Sequence, residues 1–292
     1  MWNELKFKYN QAQISEKLIF VNVGIFAILS IITTVCYLLT DSHIEFFKDN
    51  LALPANLKSL LFKPWTLITF FFTHFHFWHL LGNMIALYFF GRFFSTFFNA
   101  RLFLNYFILG GLFSGLIFVV SYNVFPALIG ANTSLVGASG AVFAILFGAT
   151  AKAPNYIFNF FGVLRIPLWV LSSLYTIMFI SSIPYANAGG ELAHLGGAFL
   201  GYFYTKQLDS GKNIGAFLER IMEAVRNMFK AAKKGPLKTV HKNKSKVGGY
   251  TKSDFKKFNN QKRIDVILDK ISKSGYDSLT ADEKELLFRA GK

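Results

Sequence analysis

Six apolar segments between Leu18 and Thr205 constrain this chain more than any other feature: Leu18–Thr40, Phe77–Phe98, Leu102–Tyr122, Ser139–Lys152, Ile166–Ile183 and Leu192–Thr205. A spanning helix needs roughly 20 mostly apolar residues at ~1.5 Å rise each. Ser139–Lys152 is too short to cross the whole bilayer, so it is expected to start at depth. With 53% hydrophobic and only 16% charged residues, and a mean hydropathy of +0.38, the chain holds more apolar surface than a soluble core could hide. The expected fold class is all-α, a polytopic membrane protein with a six-transmembrane-helix bundle. The length of the first segment, and the lack of a small-residue cleavage site, predict a retained anchor rather than a cleaved signal peptide. The single cysteine, Cys36, lies in an apolar run, where it can form no intrachain disulfide and reads as a packing or lipid-facing residue.

Orientation follows from Lys and Arg near the helix ends. Lys6, Lys8 and Lys17 precede the first segment, Arg92 and Arg101 flank the second-to-third connection, Lys152 and Arg165 flank the fourth-to-fifth, and the tail is lysine-rich. All can share the cytoplasmic side, which places both termini inside. In the long opposite loop, Asp41 to Phe75, Lys48, Lys58 and Lys63 are balanced by Asp41, Glu45 and Asp49. That loop, with Pro54, Pro64 and the apolar Leu60-Leu61-Phe62, is expected to pack on the membrane surface with Trp65 at the headgroup level. A compact six-span plan without a targeting sequence predicts a bacterial inner (plasma) membrane.

Polar residues inside spans are costly, so each needs a partner or a task. The second segment carries His79 and, one turn later on the same face, Asn83. The fourth opens with Ser139 in Gly137-Ala138-Ser139-Gly140, and the sixth carries His194. Gly82, Gly148, Gly196, Gly197 and Gly201 permit the close helix approach that would join these positions. The chemistry such a cluster supports is acyl transfer. An imidazole takes the serine proton and returns it to the leaving amine, while the Ser139 backbone N–H, the His79 ring and the Asn83 amide can face the oxyanion. Between Leu51 and Thr205 the only acid is Glu191, one turn before His194. It could orient the base, but a carboxylate near a helix N-terminus is already favoured by the helix dipole. A Ser139–His194 dyad is therefore the expected catalytic unit, and it calls for no cofactor.

At these motifs the chain resembles the rhomboid intramembrane serine proteases, of bacterial type with a six-span core. The matching elements are His79-Leu80-Leu81-Gly82-Asn83 for HxxxN, Gly137-Ala138-Ser139-Gly140 for GxSG, and Ala193-His194-Leu195-Gly196-Gly197 for AHxxG, within a region from Phe62 to Thr205. The resemblance implies a rhomboid-like bundle with Ser139 as nucleophile and His194 as base. It also implies oxyanion support from His79 and Asn83, with Gly137 as the motif glycine. The implied substrates are single-span membrane proteins whose transmembrane helices unwind near small or helix-breaking residues. The family's common Trp-Arg pair appears here as Trp65-Thr66, and Gly91-Arg92-Phe93-Phe94-Ser95 lacks the family's frequent glutamate. Where some relatives place tyrosine one turn after the serine, Phe143 can stack on the His194 ring but cannot donate a hydrogen bond.

Other chemistries fit less well. His74, His76 and His79 form an HxHxxH-like cluster, but no HExxH motif or second-shell partner accompanies it. His74 and His76 are instead expected to face a water-filled entrance. The rival to proteolysis is a non-catalytic rhomboid-like scaffold that binds client transmembrane helices; the presence of both dyad members disfavours it. In the tail, Ile214–Phe229 reads as an amphipathic helix on the inner leaflet, with Phe217, Leu218, Ile221, Met222, Val225 and Phe229 on one face. Lys233–Lys262 reads as a flexible basic linker attracted to anionic lipid. No nucleic-acid reader motif is recognisable. The last stretch, 263–292, reads as a helical hairpin: a stripe of Ile264, Ile267, Leu268 and Ile271, a cap at Gly275, and a capping box over Thr280-Ala281-Asp282-Glu283.

Overall fold

The computed structural model describes residues 7, 9, 11–40, 45–160, 164–185, 187–229, 246–247 and 250–291. Lys6, Lys8, Asp41 and the basic stretch 230–245 lie outside the described residues. The chain divides into two units, 1–227 and 228–292.

The first unit is built on α1 (Ile14–Thr40), α5 (Phe77–Phe97), α6 (Ala100–Val124), α7 (Ser139–Lys152), α8 (Leu168–Ser182) and α9 (Ala188–Asp209), which coincide with the six apolar segments. Among the described residues, α5, α6 and nearly all of α1 are long and apolar enough to cross a membrane, and α7 and α8 are shorter apolar helices. Two boundaries extend into polar sequence that hydropathy does not register. α1 starts at Ile14 because the Gln13 N–H donates to Glu16 Oε2 at 2.8 Å. α9 starts at Ala188 because the Asn187 side chain caps it by accepting from the Gly190 N–H at 3.2 Å.

The loop from 45 to 75, expected to lie on the membrane surface, is folded into α2 (Glu45–Leu51), α3 (Leu57–Phe62), α4 (Thr66–Thr69) and a 3₁₀ turn at Phe70–Phe72. Three of its backbone carbonyls accept from side chains within the loop. The Trp65 indole N–H donates to the Asn50 carbonyl at 2.8 Å, Lys63 Nζ to the Asp49 carbonyl at 2.7 Å, and Thr69 Oγ1 to the Leu51 carbonyl at 2.8 Å. Trp65 therefore closes the loop as well as presenting a half-exposed ring. Strand β1 (Leu53–Pro54) pairs antiparallel with β2 (Ser134–Leu135), tying the loop to the segment just before α7. A hairpin of β3 (Ile157–Phe160) and β4 (Leu164–Pro167), absent from the sequence expectation, links α7 to α8. Its Phe158 is buried against Phe90 and Phe93 of α5.

Small residues set the packing of α6, α7 and α9. A Cβ built on Gly197 would overlap the Gly140 carbonyl, and one on Gly201 would overlap the Ala144 carbonyl, so α9 lies directly on the α7 backbone. Gly110 and Ser114 of α6 fit against Ala144 and Gly140 from the other side. Gly148 accepts the Tyr106 ring, and Gly196 faces Ile117. Gly82 departs from the expectation: a Cβ there would meet nothing within 4 Å, so it leaves space in a cleft rather than joining helices.

At the other end of the bundle, a partly buried polar cluster fastens α10 (Ala216–Phe229). Glu219 Oε1 accepts from Asn105 Nδ2 at 2.8 Å and from Asn213 Nδ2 at 3.0 Å, while the Tyr204 hydroxyl donates to Asn213 Oδ1 at 2.6 Å. The Tyr106 ring stacks on Tyr204 with centroids 4.4 Å apart. The apolar face expected for this helix is consequently divided. Leu218 is buried, whereas Phe217, Ile221 and Val225 are exposed.

In the second unit, α11 (Lys252–Ser274) begins inside the stretch expected as linker, because Thr251 and Asp254 form a reciprocal capping box. α12 (Ala281–Ala290) opens on a second box, Thr280 with Glu283. Gly275, at φ +80°, ends α11. Ile267 and Leu279 are buried in this unit, and Lys270 Nζ reaches Glu283 Oε2 at 2.8 Å.

Gly201→Val forces a side chain into the Ala144 carbonyl and should lower the thermal unfolding midpoint in detergent, with a cost of about 1–3 kcal/mol. An unchanged midpoint would contradict the seam. In the second unit, the Lys270 bond and the Thr280 N–H hold the Glu283 carboxyl below its ordinary pKa. A lowered folded-state pKa stabilises the fold above the unfolded value, about 4.3, and that contribution disappears as pH falls through the folded value. Order in α12, followed by amide NMR in the full chain, should therefore weaken as pH falls below the ordinary glutamate range. In Glu283→Gln this pH dependence should be absent.

Candidate active site

Ser139 is the first residue of α7, so its backbone N–H has no acceptor within the helix and is free to face an anion. The two residues before it are pinned by the folded loop. The Gly137 N–H donates to the Phe70 carbonyl at 2.9 Å, and the Ala138 N–H donates to His74 Nε2 at 3.3 Å. Gly137 sits at φ +108°, a left-handed conformation that favours glycine. The space its missing side chain leaves is filled by the His79 ring, because a Cβ there would overlap Cε1 and Nε2 of that imidazole.

His74 is a correction to the sequence expectation. Its ring is fully buried beside the motif rather than facing an entrance, while His76 is exposed. Burial, reinforced by the neighbouring His79, pushes its pKa down to about 3, which keeps the ring neutral and Nε2 able to accept. No local spacing signals this role, since the contact joins residues 74 and 138. The His74 and His79 rings meet edge to face at 5.1 Å.

His194 stands on α9, nearly two turns inside its N-terminus, and the contact of α9 with α7 brings it to the serine. Ser139 Oγ and His194 Nε2 are 2.8 Å apart. Phe143 packs edge-on against the His194 ring at 5.2 Å, the stacking expected from its position after the serine. Phe179 of α8 adds a second aromatic contact at 4.9 Å that local sequence did not indicate. On the far side of the ring, Nδ1 lies 3.3 Å from Glu191 Oε2.

Asn83 lies one turn after His79 on α5, and its Nδ2 donates to the His79 carbonyl at 2.9 Å. That bond uses one amide proton and fixes the side chain, leaving the second proton available. Ser139, His194, His79 and Asn83 all line a cleft of about 270 Å³ between α5, α7, α8 and α9, with Trp78 and Gly82 on one wall and Tyr175 and Met178 on the other. The arrangement suits a hydroxyl nucleophile, an adjoining base and donors converging on one pocket. Among the described residues, no group of three or more His, Cys, Asp or Glu is placed to hold a metal ion.

Gly137→Ala should strain the backbone at positive φ and displace the His79 ring, costing about 1–3 kcal/mol of stability. Thermal unfolding checks this, and a parental midpoint would show that the φ and the ring contact are not constraining.

The family model of the rhomboid domain matches residues 61–208, and that of a family of unknown function, DUF6576, matches residues 252–290. No curated protein matches the chain. The rhomboid match covers half of the chain, spans the helices that carry the serine, the histidines and Asn83, and accords with the all-α apolar bundle; the chain belongs to the rhomboid family.

Proposed function

We propose that this integral membrane protein is an intramembrane serine endopeptidase that cleaves other membrane proteins in or near their transmembrane segments. The observation that carries this reading is the 2.8 Å contact between Ser139 Oγ and His194 Nε2 in a cleft shared with His79 and Asn83. The rhomboid family includes intramembrane serine proteases and also inactive members, so the reading rests on these side chains and not on the family alone.

Ser139 Oγ attacks the scissile carbonyl carbon as its proton passes to His194 Nε2. The carbonyl oxygen becomes an oxyanion that receives hydrogen bonds from the Ser139 N–H, the free Asn83 amide proton and the His79 ring. Collapse breaks the C–N bond, and the proton on Nε2 passes to the leaving amine. Water, activated by the same nitrogen, then hydrolyses the acyl-enzyme and restores the serine. The helical bundle lies in a bacterial inner membrane, with α7 starting at depth and both termini cytoplasmic. The exposed Phe217, Ile221 and Val225 of α10 face lipid, and the lysine-rich tail faces anionic headgroups.

The test uses the purified full chain and a fluorogenic substrate containing a transmembrane segment. Ser139→Ala should abolish cleavage, a loss on the order of 10⁴-fold or more. Asn83→Ala should retain a trace of activity, about 10²–10³-fold below the parent, as expected for loss of one oxyanion donor. Parental cleavage by Ser139→Ala would refute the nucleophile. Client capture without product, unaffected by Ser139→Ala or His194→Ala, would establish the scaffold instead.

A further inference from the structure

We infer that Glu191 is a positioning residue for His194, so that the proposed protease works through a line of three groups, Glu191, His194 and Ser139. The inference rests on the protease reading and assigns a role within it to the only acid between Leu51 and Thr205.

The geometry has three parts. For Ser139 to give up its proton, His194 Nε2 must be the bare nitrogen, which places the ring proton on Nδ1. The atom facing Nδ1 is Glu191 Oε2, at 3.3 Å. A carboxylate is acceptor-only when ionised, so this contact selects the tautomer the reaction needs and holds the plane of the ring. Both side chains are largely enclosed, at 18% and 23% exposure, so the pair is screened less than a surface pair. Glu191 makes no other side-chain hydrogen bond or ion pair among the described residues.

The distance is longer than the ~2.7–2.9 Å of a fully formed charge-assisted bond. During attack the ring becomes an imidazolium, and the attraction of the carboxylate for it grows. The interaction is therefore stronger in the transition state than in the resting enzyme, and such interactions act on kcat rather than KM. The step needs no proton transfer to Glu191.

A purely structural alternative exists, because Glu191 lies in the first turn of α9, where any carboxylate favours the helix dipole. The two roles separate by position. An acid at 188, in the same turn, would restore the dipole interaction without following Glu191 to the imidazole.

The experiment compares the full-length parent, Ser139→Ala, Glu191→Gln, Glu191→Asp and the double variant Ala188→Asp/Glu191→Gln. The readouts are steady-state cleavage of the fluorogenic transmembrane substrate, the rate of Ser139 labelling by a fluorophosphonate, and thermal unfolding. Glu191→Gln should lower kcat by about tenfold or more with KM within about twofold of the parent, and labelling should slow in parallel. Glu191→Asp should recover part of the loss. The double variant should regain thermal stability yet remain as slow as Glu191→Gln. Parental kcat in Glu191→Gln, or recovery of kcat by Ala188→Asp, would overturn the assignment while leaving the protease reading intact. A parent that neither cleaves nor labels, or a Ser139→Ala variant that still does, would instead overturn the protease reading.

Discussion

Everything at the site depends on the direct backbone contact between α7 and α9. In a bilayer the hydrophobic effect does not draw apolar helices together, because lipid is as apolar as their side chains. Close packing must supply the attraction, and packing is closest where side chains are absent. Gly197 against the Gly140 carbonyl and Gly201 against the Ala144 carbonyl provide that proximity. A serine on one helix can then meet a histidine on the other with side chains that are both short. With larger residues along the seam, the axes would separate, and the 2.8 Å contact between Ser139 and His194 would be out of reach.

The seam requires support from both sides. On one side α6 presents Gly110 and Ser114, small enough to admit the first turns of α7. On the other, aromatic rings from α7 and α8 close over the histidine. The folded loop supplies the third constraint through Phe70 and His74, which hold the backbone of Gly137 and Ala138 just before the nucleophile. Positioning of Ser139 is thus assembled from segments far apart in sequence. Rigid elements of this kind keep a catalytic group in its working geometry better than a free loop would.

The elements legible in the sequence were those governed by local periodicity or by a rare polar residue. Spans α1, α5 and α6 follow from apolar length, and Ser139, His79, Asn83 and His194 stand out because polar side chains at membrane depth are costly. The capping boxes at Thr251 and Thr280 belong to the same local class, although the first was hidden in a lysine-rich stretch and read as linker. What stayed hidden was non-local. The pairing of Leu53–Pro54 with Ser134–Leu135, the burial of His74 and the contact of Phe179 with His194 each join segments that no spacing rule connects. Gly82 shows the reverse failure. A small residue near a motif resembles a packing residue, but only the surroundings reveal that it borders open space.

Glu191 illustrates why an acid in an apolar core should be judged by what it faces. From sequence alone, its place in the first turn of α9 accounts for it through the helix dipole, and that reasoning favours a dyad. The dipole, however, is indifferent to which first-turn position holds the charge and to the rotamer it adopts. The structure aims this carboxylate at Nδ1 of the same imidazole whose Nε2 meets the serine. A rim residue stabilised only by the dipole gains nothing from that direction and would do better turned to water, where its charge is solvated. The orientation toward His194 is the feature the dipole cannot explain, and it is the one that a base needing a fixed tautomer requires.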